Sequence, residues 1–325
     1  MRDIDSKAAG PPRSAVATAP GRSGGGSLSG ALLRQMRVRQ WTKNLILFAG
    51  VVFSLHFTDP REVLRAAQAF LAFCFLSSAV YTLNDLRDVE GDRLHPKKRL
   101  RPIASGRISI RTGWVLFAAL LAIAVILSAP LGRPFLLSAA FYLVLNLAYT
   151  IWLKRVVLMD VMVIALGFVV RAVAGVEVLL LPEEISPWLL ICTLFLALFL
   201  AVCKRRAERA LLADQAESHR KTLSEYPPEL VDQMIPVVTA ATVISYAIYT
   251  VSPATVDKFR TDQLVYTVPF VVYGVFRYLY LVYRRQRGGS PSEVLLTDLP
   301  TLINVVLWMA TVMVILLVAR GRLGF

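Results

Sequence analysis

The apolar residues of this 325-residue chain fall in long uninterrupted blocks, and its charges gather between them. Neither the alternation of a half-buried strand nor the narrow stripe of an amphipathic helix runs through these blocks. A helix needs about 20 mostly apolar residues to cross the hydrocarbon core of a bilayer. Nine segments are read on this basis as membrane-spanning helices, at roughly 43–57, 65–84, 113–130, 134–152, 157–181, 187–203, 235–253, 263–283 and 299–319. The first is weak on hydropathy alone. Pro236 and Pro269 lie inside two of them, which membrane helices tolerate.

The pattern therefore predicts an all-α fold: a polytopic membrane protein with a nine-helix transmembrane bundle. Lys and Arg set its orientation, because cytoplasmic loops carry the excess of positive charge. With the N-terminus in the cytoplasm, 27 Lys and Arg residues fall inside and 7 outside, with Arg171 and Arg277 within spans. Both long polar loops, 84–112 and 204–234, then face the cytoplasm, and the acidic loop Leu181-Pro182-Glu183-Glu184 faces out.

Composition agrees. Hydrophobic residues make up 56% of the chain and mean hydropathy is +0.58, too apolar for a soluble domain of this length. The net charge of +14 follows from the inside loops and calls for no nucleic acid partner. Cys74, Cys192 and Cys203 lie in or at the ends of apolar runs, without metal or disulfide spacing. Residues 1–30 are rich in Gly, Ser, Ala, Pro and Arg and contain no apolar signal core. They read as a disordered cytoplasmic tail, and 31–325 as a single catalytic domain.

Candidate chemistry starts at Asn84-Asp85-Leu86-Arg87-Asp88-Val89-Glu90-Gly91-Asp92, directly after an apolar run. On a helix, Asp85, Asp88 and Asp92 fall at i, i+3 and i+7, so three carboxylates share a face edged by Asn84. Like charges so close repel. A divalent cation offsets that repulsion, and oxygen-only ligands suit Mg²⁺, which binds a few carboxylates together with substrate phosphates. The run Lys97-Lys98-Arg99-Leu100-Arg101 follows within the same loop, and the planar fork of Arg matches phosphate oxygens. The plain alternative is a basic anchor against anionic lipid.

Further groups recur near the same face. Cys203-Lys204-Arg205-Arg206-Ala207-Glu208-Arg209 leaves the sixth span, with Lys204 and Glu208 spaced for a local ion pair. Arg39-Gln40-Trp41-Thr42-Lys43-Asn44 precedes the first span, with Trp41 as an interface anchor. Tyr149 to Lys154 closes the fourth. Arg171 lies deep in the fifth span and needs an anion or carboxylate partner; the plain reading of Asp160 and Arg171 is salt-bridging within the helix bundle. His56, His95 and His219 show no ligand or triad spacing.

These residues resemble the UbiA-type superfamily of intramembrane prenyltransferases. Asn84-Asp85-x-x-Asp88-x-x-x-Asp92 is similar to that superfamily's first Asp-rich motif, and the resemblance extends over about residues 34–320. Aromatic prenyltransferases of the superfamily carry a second Asp-rich motif at the end of the sixth helix. Here that place reads Lys204-Arg205-Arg206-Ala207-Glu208. The pattern is most like the decaprenyl-phosphate phosphoribosyltransferase branch. The features that carry it are Arg-Gln-Trp-x-Lys-Asn at 39–44, Lys98-Arg99-x-Arg101-Pro102-Ile103, Tyr149-x4-Lys154 and Lys204-Arg205-x-Ala207-Glu208.

The resemblance implies Mg²⁺-dependent transfer of 5-phosphoribose from 5-phosphoribosyl 1-diphosphate to a polyprenyl phosphate, in the plasma membrane, with the active site facing the cytoplasm. Asn84, Asp85, Asp88 and Asp92 would hold Mg²⁺, and Lys43 would neutralise the leaving diphosphate. Lys98, Arg99, Arg101 and Lys204 or Arg205 would clamp the 5-phosphate. Tyr149, Lys154, Arg171 and Glu208 complete the expected substrate site. A homo-oligomer is compatible with this reading. The alternatives are an aromatic prenyltransferase, which requires a second acidic cluster, and a transporter, which requires charge spread through the spans and an inverted repeat.

Overall fold

A computed structural model describes residues 27–96, 98–180, 185–212, 226–284 and 291–322. Residues 1–26, Lys97 and the acidic loop 181–184 lie outside the described residues. Helix α1, Leu28–Met36, opens two residues before the expected boundary at 30, with the Ser27 hydroxyl capping the Gly30 N–H at 3.2 Å. A 3₁₀ segment, Val38–Leu47, runs into α2, Phe48–Phe53. Then come α3, Pro60–Arg87, the short α4, Val89–Leu94, and α5, Ile110–Ser128, followed by α6, Arg133–Ile151, and α7, Met159–Glu177. Next are α8, Pro187–Leu212, α9, Pro228–Val251, the short α10, Pro253–Phe259, and α11, Val268–Arg284. The short α12, Pro291–Thr297, and α13, Leu299–Arg322, close the order.

Eight helices among the described residues are long and apolar enough to cross a membrane. The first expected span, 43–57, is not among them. Its residues 43–53 fall in the 3₁₀ segment and α2, which together are helical from 38 to 53, and 54–57 lie beyond them. Ten residues of 3₁₀ helix are unusually many for so strained a geometry. Packing accounts for the segment's place. It crosses α7 backbone to backbone: a Cβ on Gly50 would stand 1.9 Å from the Gly175 carbonyl oxygen, and one on Gly175 2.2 Å from that of Leu47. Only glycine permits that approach.

Proline and side-chain caps punctuate the bundle. Asp59 caps the Arg61 N–H at 2.8 Å with Pro60 as the first residue of α3, and Ser109 caps α5 through the Thr112 N–H at 3.1 Å. Pro236 lies inside α9 without ending it. The spans α3 and α7 are the inner helices, 56% and 61% buried, whereas α5 and α13 are 22% buried and offer their apolar flanks to lipid. One core cluster gathers Phe73, Leu76 and Val80 of α3 with Phe135 and Tyr142 of α6 and Val170 of α7. A second gathers Phe199 and Val202 of α8 with Ile235 of α9 and Tyr278 of α11. The site lies where α3 leaves the first of these.

Candidate active site

Helix α3 stops at Arg87, and Asp88 (φ −96°, ψ 10°) separates it from α4. Helical bonding persists across the break. The Asp88 N–H donates to the Asn84 carbonyl at 2.9 Å, and the Asp92 N–H to that of Asp88 at 2.8 Å. Asp85 and Asp92 therefore stay on one side, and both meet the same guanidinium: Arg101 Nη1 lies 2.9 Å from Asp85 Oδ1 and 2.5 Å from Asp92 Oδ2. Asp85 also accepts from Gln35 Nε2 at 2.9 Å and Arg37 Nη2 at 2.5 Å. Asp88 turns elsewhere and accepts from Lys154 Nζ at 2.6 and 2.8 Å. The Asn84 amide oxygen accepts from the Thr150 hydroxyl at 2.6 Å.

The shared carboxylate face expected from spacing is thus a pair, Asp85 with Asp92, and a separate Asp88. The side chains of Asp85 and Asp92 are 2% and 4% exposed, that of Asp88 41%. Burial pushes the Asp92 carboxyl above its usual range, against the opposing pull of Arg101. Three cations, Arg37, Arg101 and Lys154, match three carboxylates. Among the described residues no three His, Cys, Asp or Glu side chains gather as a metal cage. The donors are nonetheless all hard oxygens, and two carboxylates already converge on one cationic group, so the set fits a hard divalent cation.

A second polar layer lies deeper. Arg171 donates from Nε to Asn44 Oδ1 at 2.7 Å, from Nη1 to the Gly167 carbonyl at 2.7 Å and from Nη2 to the Tyr142 hydroxyl at 2.8 Å. Its guanidinium carbon stands 4.5 Å from the Tyr142 ring centre. Of Asp160 and Arg171, only Asp160 forms a salt bridge within the bundle; Arg171 meets no carboxylate among the described residues. Asp160 lies at the opposite end of α7, where its Oδ2 is 2.7 Å from Arg205 Nε, an ion pair without hydrogen-bond alignment. Asp160 Oδ1 accepts from Tyr226 at 2.5 Å, and the Tyr226 hydroxyl accepts from the Leu158 N–H at 2.7 Å. Burial and the adjacent Asp160 carboxylate together push the Tyr226 hydroxyl pKa up.

The remaining expected site residues divide. Arg205 is buried and paired with Asp160 and Glu208, so it does not face the carboxylate end as a free clamp. Lys204 and Glu208 form the pair their spacing predicts, at 3.7 Å. Arg206 is held by Asp232 at 2.8 Å and stacks on Tyr283. Arg99 is exposed, Lys98 half-buried, and Tyr149 half-buried on α6, where it acts electrostatically on Arg205. Trp41 is not a free anchor: its indole N–H donates to Ser78 Oγ at 3.0 Å. Sequence reasoning missed Gln35, Arg37, Tyr81, Tyr142 and Thr150. Arg37 carried one signal, standing two residues before the Arg39-Gln40-Trp41 run.

A family model described as the UbiA prenyltransferase family matches residues 45–297. The chain belongs to the UbiA prenyltransferase family. Among curated relatives, a decaprenyl-phosphate phosphoribosyltransferase of Corynebacterium glutamicum is 33% identical over 84% of this chain and 82% of its own. One from Mycolicibacterium smegmatis is 30% identical over 88% and 92%. The fold matches a solved UbiA homolog from Archaeoglobus fulgidus bound to GPP and Mg²⁺, with TM-score 0.67 and 22% identity over 88% of this chain and 99% of that one. The chain is thus a multi-pass membrane enzyme, a transferase of this family.

Proposed function

We propose that the chain transfers 5-phosphoribose from 5-phosphoribosyl 1-diphosphate to a polyprenyl phosphate with the help of Mg²⁺ and releases diphosphate. The observation that carries this reading is the charge balance at the two loop ends. At 84–92 the three Asp carboxylates are met by three cations, Arg37, Arg101 and Lys154. At the end of α8 the run 204–209 itself holds four cations and the single carboxylate Glu208, which pairs with Lys204 and Arg205, while Asp160 of α7 and Asp232 of α9 are taken up by Arg205 and Arg206. Among the described residues there, each carboxylate is already paired with a cation, which speaks against the second acidic cluster that an allylic diphosphate donor calls for. The names of the two relatives support the same donor and acceptor.

The paired site suits a metal diphosphate by exchange. Asp85, Asp88, Asp92 and Asn84 would hold Mg²⁺, while Arg37, Arg101 and Lys154, released from the carboxylates, would take the phosphate oxygens. Bound Mg²⁺ would stabilise the charge that builds on the departing diphosphate. The bond from ribose C1 to diphosphate oxygen breaks, and a bond from C1 to a lipid phosphate oxygen forms. A phosphate monoester is already anionic, so the chain needs no strong general base. We also place this end of the bundle in the cytoplasm, on the 27-to-7 partition of Lys and Arg.

The test is purified protein in nanodiscs with labelled 5-phosphoribosyl 1-diphosphate, a polyprenyl phosphate and Mg²⁺. Lipid-linked phosphoribose is expected. Product only from a prenyl diphosphate and 4-hydroxybenzoate would replace this reading with aromatic prenylation.

A further inference from the structure

Arg171 and Lys43, inside the bundle, meet no carboxylate among the described residues. Arg171 is 4% exposed, and its hydrogen bonds all end on neutral acceptors. Lys43 has no ion-pair partner among the described residues. Ionisable groups at membrane depth are costly and mark ligand or ion sites.

The charges converge on Tyr81 of α3. The Arg37 guanidinium carbon stands 4.9 Å from its ring centre. Lys43, Arg171 and Lys204 all act on its hydroxyl. Asn44, next to Lys43, donates to Ser77 Oγ at 3.3 Å, one turn before Tyr81, and receives Arg171. The positive charge of Lys43 also bears on Lys204. The Tyr81 hydroxyl has no hydrogen-bond partner among the described residues. Nearby, Glu208 faces Lys204 at 3.7 Å and Asp85 faces Arg37, so positive charge is in excess. Tyr81 stands four residues before Asp85, about 6 Å further into the bundle.

We propose that Lys43, Tyr81, Arg171 and Lys204 seat the monophosphate of the lipid acceptor. The inference rests on the reaction proposed above and gives its second substrate a site separate from the donor's. A dianion there would compensate Lys43 and Arg171 and accept from the Tyr81 hydroxyl. The donor is water-soluble and reaches the loop end, where carboxylates and cations alternate. The acceptor's phosphate is tethered to a chain in the bilayer and suits the deeper cluster, where Lys43 and Arg171 have no carboxylate partner among the described residues. Lys43 and Lys204 thereby move from donor to acceptor.

The full chain in nanodiscs, without donor, is titrated with farnesyl phosphate, farnesol and ribose 5-phosphate. Lys43→Gln and Lys204→Gln are expected to bind farnesyl phosphate about tenfold more weakly or worse, with farnesol unchanged, the scale of losing a charge-assisted bond. Tyr81→Phe removes one hydroxyl and no charge, should weaken farnesyl phosphate about threefold or more, and keeps the test decisive if a lysine variant does not fold. Loss of ribose 5-phosphate binding with farnesyl phosphate intact would overturn the proposal, as would unchanged binding of both. If wild-type protein with Mg²⁺ fails to bind 5-phosphoribosyl 1-diphosphate while the farnesyl phosphate pattern holds, the reaction is wrong and the lipid-phosphate seat stands.

Discussion

Asp160 and Arg205 form a buried ion pair that joins the start of α7 to the end of α8, with oxygen and nitrogen 2.7 Å apart and both side chains almost wholly covered. Tyr226, at the start of α9, closes the group from a third element. Removing Asp160 leaves the buried Arg205 with only the more exposed Glu208 and leaves the Tyr226 hydroxyl without its acceptor. Asp160→Ala is therefore expected to destabilise the protein by about 3–5 kcal/mol, and Asp160→Asn with Arg205→Met to recover much of that loss. Thermal unfolding in detergent measures both. An unchanged midpoint in Asp160→Ala would remove this pair from the account.

Arg101 and Arg99 stand two residues apart and separate cleanly. Arg101 bridges Asp85 and Asp92, whereas Arg99 is exposed. Lysine keeps the charge and loses the fork. Arg101→Lys should weaken donor binding in Mg²⁺ by about 1.5–3 kcal/mol, and Arg99→Lys should stay within about 0.5 kcal/mol. Isothermal titration with 5-phosphoribosyl 1-diphosphate separates them. Equal losses would mean that the bridge has no special part in holding the donor.

Much of this was legible along the chain, because lipid demands long apolar blocks and those are visible without a fold. The spacing of Asp85, Asp88 and Asp92 was legible for the same local reason. Their counter-charges were not: Arg37 and Lys154 come from elements far from 84–92 in sequence. The partner of Asp160 also escaped, since finding Arg205 requires knowing which end of α7 meets α8. Nor does hydropathy register the crossing of Gly50 and Gly175, which places Asn44 beside Arg171.

That crossing gives its own prediction. The backbones leave no room for a methyl group, with Gly50 Cβ falling 1.9 Å from a carbonyl oxygen. Gly50→Ala should cost about 1–3 kcal/mol or more, the scale of overpacking a core, and should disturb Arg171 through Asn44. Wild-type stability in Gly50→Ala, again by thermal unfolding, would mean that the crossing is looser than described.

Asp298, between α12 and α13, accepts from Arg277 at 3.0 and 2.8 Å and from the Thr301 N–H and hydroxyl at 3.1 and 2.7 Å. The Arg277 bonds, ahead of those from Thr301, hold its carboxyl well below the usual range. The charged form is favoured in the folded state. Its contribution is therefore complete above the unfolded pKa of about 3.9 and is lost as pH falls through the lower folded value. Unfolding midpoints measured from neutral to acid pH should fall more steeply in wild type than in Asp298→Asn. Identical acid slopes would contradict this.

The identity of the donor is tested most directly by one two-armed assay. Purified protein in nanodiscs receives Mg²⁺, labelled 5-phosphoribosyl 1-diphosphate and a polyprenyl phosphate in one arm, and labelled geranyl diphosphate with 4-hydroxybenzoate in the other. Label should enter lipid only in the first arm, should stop on chelation with EDTA, and should fall by about a hundredfold in Asp88→Ala, the scale of losing one strong electrostatic stabiliser. Prenylated 4-hydroxybenzoate at a comparable rate, or transfer of phosphoribose that persists in EDTA, would contradict the account.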